Sequence, residues 1–122
     1  MASYKYQPNP QHRGALPLHQ KSQWLIPVPE EVSLFDKAYK EAWSCPKGNL
    51  WSIDDDFKII GKDIEYELRV AKFWSNQDIW HGFPVSMKRE VDRPPTIAIQ
   101  SWVKKRIIRK KDGIKMSQGR FK

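Results

Sequence analysis

The chain has 122 residues and a formal net charge of +8, a length that suits one domain of roughly 100–150 residues rather than two. Six Trp argue against a disordered chain, a single Cys excludes an internal disulfide, and no apolar run approaches the roughly 18 residues needed to cross a bilayer. The charge is unevenly placed: residues 104–122 hold nine Lys or Arg against Asp112 alone, whereas residues 1–103 hold thirteen basic and thirteen acidic groups.

Residues 1–22 combine Pro8, Pro10, Gly14 and Pro17 with Gln, Asn and His and little apolar periodicity. That composition describes an extended or disordered arm, draped or mobile, ahead of one domain over 23–122. No apolar segment of signal-peptide type opens the chain, so a reducing, cytoplasmic setting is expected. Trp24 to Val28 is a short apolar run that Pro27 restricts to an edge strand or strand end. From Pro29 the period changes. Val32, Phe35, Ala38, Tyr39 and Ala42 recur at helical steps, Glu30 and Glu31 suit a helix N-terminus, and Ser33 with Asp36 has capping-box spacing. Pro46, Gly48 and Asn49 mark the end of that helix.

Sheet follows. Leu50 to Ile53 and Phe57 to Ile60 read as short strands around Asp54, Asp55 and Asp56, and Gly61-Lys62 reads as a turn. Between Asp63 and Trp74 apolar and charged residues alternate, with Lys72 the misfit on the apolar side. Ser75, Asn76 and Gln77 supply a turn before a strand over Ile79 to Val85, where Gly82 and Pro84 suggest an edge or a bulge. Pro94 and Pro95 then break the chain, with Pro95 suited to the first position of a second helix. Ile99, Trp102, Val103 and Ile107 form that helix's inward face, and Gly113 stops it. Asp112-Gly113 between Ile108 and Ile114 is also a hairpin signal, so the helix is kept to about Ile107 and residues 104–118 admit helix or hairpin. The expected architecture is α+β: a three- or four-stranded, mainly antiparallel sheet packed by one or two helices.

Three functions fit these residues. The first is nucleic-acid binding, RNA ahead of DNA, because closely spaced phosphates require many cations within reach. Its candidate contacts are Lys104, Lys105, Arg106, Arg109, Lys110, Lys111, Lys115 and Arg120, continued by Lys122, with Trp80 as an exposed ring for base stacking. No zinc-finger spacing, helix-turn-helix or RNP-type motif accompanies them, so sequence specificity is not implied. The second is a metal-independent endoribonuclease. His81 beside Gly82 would act as acid or base, with Arg69, Lys88, Arg89 and Glu90 supplying charge and a proton partner. The order strand, helix, antiparallel sheet is similar to that of small basic ribonuclease toxins of the barnase and RelE type, without a shared motif. The third is an inhibitor or adaptor whose basic end meets an acidic protein surface.

No cofactor is expected, and no membrane partner. Asp54, Asp55, Asp56, Asp63, Glu65 and Glu67 read as a solvated strand face rather than cation ligands, since no calcium-loop spacing is present. Cys45, His12, His19 and His81 lack zinc-type pairing.

Overall fold

The computed structural model describes residues 5–14 and 21–121. The fold is α+β. Among the described residues, three helices pack with a curled four-stranded sheet and a small three-stranded antiparallel sheet.

The sheet is organised by one hairpin. Strands β6 (Val70–Asn76) and β7 (Ile79–Val85) pair antiparallel from Val70↔Val85 to Asn76↔Ile79. Gln77 and Asp78 join them, with φ of 52° and 66°. Two left-handed residues form the turn whose twist matches that of paired strands, so the reversal lies one residue beyond the expected Ser75-Asn76-Gln77. On the other side of β6 lies β3 (Leu50–Ile53), antiparallel, and its four residues are all buried. At the outer edge of β7, β1 (Lys5–Tyr6) runs parallel to it. The second sheet joins β2 (Gln23–Trp24), β4 (Gly61–Lys62) and β5 (Glu67–Leu68).

Local chemistry explains where these strands depart from the alternation. Phe57 has a left-handed φ of 55°, so the Phe57–Ile60 run cannot be extended throughout, and the expected turn at Gly61-Lys62 is instead a strand. The expected strand from Asp63 to Trp74 is divided. The Asp63 carboxylate accepts the backbone N–H groups of Glu65 (2.8 Å) and Tyr66 (2.7 Å), a side-chain turn that competes with the ladder. Ile64 is consequently 67% exposed. Of the expected run from Trp24 to Val28, only Trp24 lies in a strand.

Helix α1 (Val28–Glu41) starts with Pro27 as its cap. Pro29 falls in the first turn, where its missing N–H costs no bond. Ser33 and Asp36 therefore sit inside the helix and form no capping box. The buried stripe is Glu31, Leu34, Phe35 and Ala38, whereas Tyr39 and Ala42 are exposed. Glu31 turns this stripe inward. Its carboxylate is fully buried, and it accepts from the Tyr6 hydroxyl and from Arg13 Nε (3.1 Å) and Nη2 (2.6 Å). Arg13 also donates to the Ile26 carbonyl at 2.8 Å. Burial, followed by the neighbouring Glu31, pushes the Tyr6 phenol far above its ordinary range, so Tyr6 remains a donor.

The described part of the N-terminal arm is thus draped over the body. His12 is buried, stacks on Phe83 at 5.2 Å and shares a 2.8 Å hydrogen bond between Nδ1 and the Ser22 carbonyl. Burial holds its pKa below the usual value. Residues 1–4 and 15–20, which include His19, lie outside the described residues.

The second half of the core is built on tryptophan. Trp43 and Trp102 meet edge to face at 5.6 Å, and Trp43 Nε1 donates to Ser101 Oγ at 2.9 Å. Such a ring pair adds about 0.5–1.5 kcal/mol beyond its area. Lys72, the misfit on the strand, is buried beside Asp92. Helix α2 (Thr96–Lys104) has Pro95 as its cap rather than its first residue, and a separate helix α3 (Lys110–Ser117) follows.

Replacing Arg13 with Met would leave the buried Glu31 carboxylate without its cation. Breaking a buried pair costs about 3–5 kcal/mol, and the partial exposure of Arg13 places the expected loss near the lower figure. A urea titration should show the midpoint falling with an unchanged slope. A loss below about 1 kcal/mol would show that the pair does not hold the arm.

Candidate nucleic-acid interface

Residues 104–118 are neither one helix nor a hairpin. Helix α2 ends because Arg106 takes a left-handed φ of 63°. Its N–H reaches the Val103 carbonyl at 3.0 Å, and the Ile107 N–H reaches that of Trp102 at 3.0 Å. This is the double reversal that closes many helices, with arginine in the position usually held by glycine. Helix α3 is started by Asp112, whose carboxylate accepts the Arg109 backbone N–H at 3.1 Å. Gly113, expected to stop a helix, lies within α3. A Cβ there would stand 2.7 Å from Ile99 Cγ2, so the absence of a side chain lets α3 approach α2.

The reversal at Arg106 faces the sheet across an open cleft of about 890 Å³. Arg106, Arg109 and Lys110 line it from the helical side, and Arg69, just ahead of β6, lines it from the other. Its apolar surface comes from Phe57, Val103, Ile107, Ile108 and Phe121, and its carboxylates are Asp56 and Asp112. Arg69 is held in place: it donates to the Phe57 carbonyl and lies 5.3 Å over the Phe57 ring. Arg109 is aimed by Asp112 through Nε (3.1 Å) and Nη2 (3.3 Å), while 70% of its side chain remains exposed. Burial opposes ionisation of Asp112, but the bonds from the Arg109 side chain and backbone outweigh it, so its pKa lies below the usual carboxylate value.

The other described basic candidates do not line this cleft. Lys111 and Lys115 are exposed on α3. Lys104 lines a shallow apolar depression between α2 and α3, which Lys110 also borders. Lys105 reaches Glu41 at 3.5 Å, and Arg120 donates to Gln118 at 2.7 Å. Lys122 lies outside the described residues. Trp80 does not join them. It is half-buried because α1 covers it, with Phe35 at 5.4 Å and Tyr39 at 6.3 Å. Trp74, on the neighbouring strand, is an exposed ring.

Of the residues grouped with His81, Arg69 lies apart, whereas Arg89 lines a groove that Trp74, the ring against His81, also lines. His81 Nδ1 shares a 2.9 Å hydrogen bond with the Gln7 carbonyl, and its ring lies 4.9 Å from Trp74, its strand partner. Arg69 belongs to the cleft, beyond Val70, which is itself four residues or roughly 13 Å along β6 from Trp74. Lys88 is bonded to Glu65 at 2.6 Å, and that bond raises its pKa, so it is a poor proton acceptor. Arg89 and Glu90 are exposed around a short 3₁₀ turn.

Several of the acidic residues are paired locally. Asp55 pairs with Lys37 at 2.7 Å, Lys58 bridges Glu30 and Asp54, and Asp63 closes its turn. Among the described residues, no three His, Cys, Asp or Glu side chains are grouped to hold a metal ion, and no helix is long and apolar enough to cross a membrane.

No family model matches the chain, and neither the curated proteins nor the solved structures contain a match to it.

Asp112 gives the helical side of the cleft a pH dependence. Its folded pKa is depressed, so its contribution is present above the unfolded value of about 3.9 and disappears as pH falls through the lower folded value. Thermal melts of the chain and of Asp112→Asn should differ at neutral pH and converge as the pH falls through the depressed Asp112 pKa. A gap that stays constant across that range would remove the carboxylate's charge from the account.

Proposed function

We propose that this chain binds nucleic acid, RNA ahead of DNA, through phosphate contacts around the cleft between the α2–α3 junction and the sheet. The observation that carries this reading is convergence. Arg69 comes from the sheet and Arg106, Arg109 and Lys110 from the C-terminal segment, yet they border one open surface. Lys111 and Lys115 extend the positive surface along α3. Phosphate recognition needs several cations within reach of neighbouring charges, and planar guanidinium groups supply paired donors for it. RNA is placed ahead because the cleft is partly aromatic, and RNA presents unpaired bases in loops and ends. The ribonuclease reading draws nothing from this cleft, which is lined by Arg69 but not by His81, Lys88, Arg89 or Glu90.

Binding of short RNA and DNA should weaken linearly with the logarithm of salt concentration. Each phosphate contact contributes about 0.7–0.9 to the slope. Replacing Arg106, Lys110 and Lys111 together with Gln, while keeping Arg109 and its bond to Asp112, should therefore reduce the slope by about two. Absence of binding at low salt, or an unchanged slope in the triple variant, would overturn the proposal.

A further inference from the structure

Backbone strain draws attention to the floor of the same cleft. Among the described residues, five that are not glycine have a left-handed backbone: Ala42, Phe57, Gln77, Asp78 and Arg106. Gln77 and Asp78 make the hairpin turn, and Ala42 closes α1. Arg106 closes α2 in the same way, and it lines the cleft together with Phe57. A bulky side chain in that region costs about 1–2 kcal/mol, a cost that glycine would avoid at either position. Keeping phenylalanine and arginine there places a ring and a guanidinium on the cleft wall.

The chemistry of that wall is divided. Phe57 and Phe121 meet at 5.5 Å with their planes inclined by 40°, forming an aromatic corner whose Phe57 face is already held by Arg69. Arg106, Arg109 and Lys110 supply charge along the rim. Arg109 uses Nε and Nη2 on Asp112, which leaves Nη1 donors available to a ligand. Asp56, also at the cleft, disfavours a phosphate beside it. A flat apolar face next to an anion site matches a nucleotide, and the volume of about 890 Å³ falls within the roughly 300–1,000 Å³ of small-ligand sites.

We infer that the cleft seats one unpaired nucleotide of a single strand, its base against the Phe121 ring and its phosphate on Arg106, Arg109 and Lys110. The inference rests on the nucleic-acid reading above and names its substrate class: unpaired strands or ends rather than continuous duplex, whose bases are stacked out of reach.

The test is fluorescence anisotropy with the full chain and three labelled probes: a short single-stranded RNA, its blunt duplex, and an abasic strand with the same number of phosphates. Stacking of one base predicts that the single strand binds about tenfold more tightly than the abasic strand. Phe121→Leu, which keeps an apolar side chain but removes the ring, should lower single-strand affinity to the abasic level and leave abasic binding unchanged. Equal, salt-dependent binding of all three probes by the unaltered chain would overturn base recognition while leaving the phosphate reading intact. No binding of any probe would overturn both. Displacement of the RNA by polyglutamate at equal charge concentration would also overturn the inference, because it would assign the cleft to an acidic protein. The abasic comparison uses the unaltered chain and stands even if Phe121→Leu fails to fold.

Discussion

In the middle of β6 the Lys72 ammonium donates to the Val91 carbonyl at 2.7 Å, reaches the Asp92 carboxylate at 3.3 Å and lies 5.3 Å from the Trp51 ring. Trp51 in turn donates its indole N–H to the Asp92 carbonyl at 3.0 Å. A buried cation requires this degree of satisfaction, since an unpaired one would cost several kcal/mol. The same bonds fasten the segment before Pro94 to the sheet. Helix α2 starts two residues after Pro94, so the position of Asp92 influences where the α2–α3 junction comes to face Arg69. A charge that looks misplaced in the strand pattern therefore helps to set the geometry of the basic cleft.

The helix ends impose a second constraint. The three α-helices among the described residues close with the same pair of backbone bonds, at Ala42, Arg106 and Gly119. Only the third uses the glycine that makes a left-handed residue cheap. At Arg106 the closure reverses the chain and presents arginine at the turn, so the termination signal and a candidate ligand contact are one residue. The apolar Ile107 that follows leads back to the carbonyl of Trp102, which anchors the exposed turn to the core.

Much of the architecture is legible in local patterns. The alternation around Val70 and the run from Ile79 to Val85 reveal the central hairpin, and the three- and four-residue steps around Phe35 and Ala38 reveal α1. Features set by partners distant in the chain are not. Glu31 looks like a helix N-terminal charge until Tyr6 and Arg13 meet it, and Lys72 looks like an error until Asp92 meets it. Gly48 and Gly113 attract the helix stops, whereas the stops fall at Ala42 and Arg106, residue types that carry no such mark. The cluster of cations at the C-terminal end is visible from composition. Arg69, Phe57 and Phe121 are not, because only the fold brings their separate segments to one cleft.

Gly113 has a kinetic and thermodynamic consequence for that cleft. Helix α3 has only eight residues, short of the roughly 12–15 at which isolated helices become even marginal, and an interior glycine lowers helix stability by about 1 kcal/mol relative to alanine. Its order therefore comes from docking on Ile99 and Val103, and it belongs to the part of the molecule that opens at least cost. A polyanion bridging Arg106 at the end of α2 and Lys110 at the start of α3 would stabilise the docked form in proportion to its occupancy. The slowing of amide exchange along α3 then becomes an internal gauge of what the cleft holds.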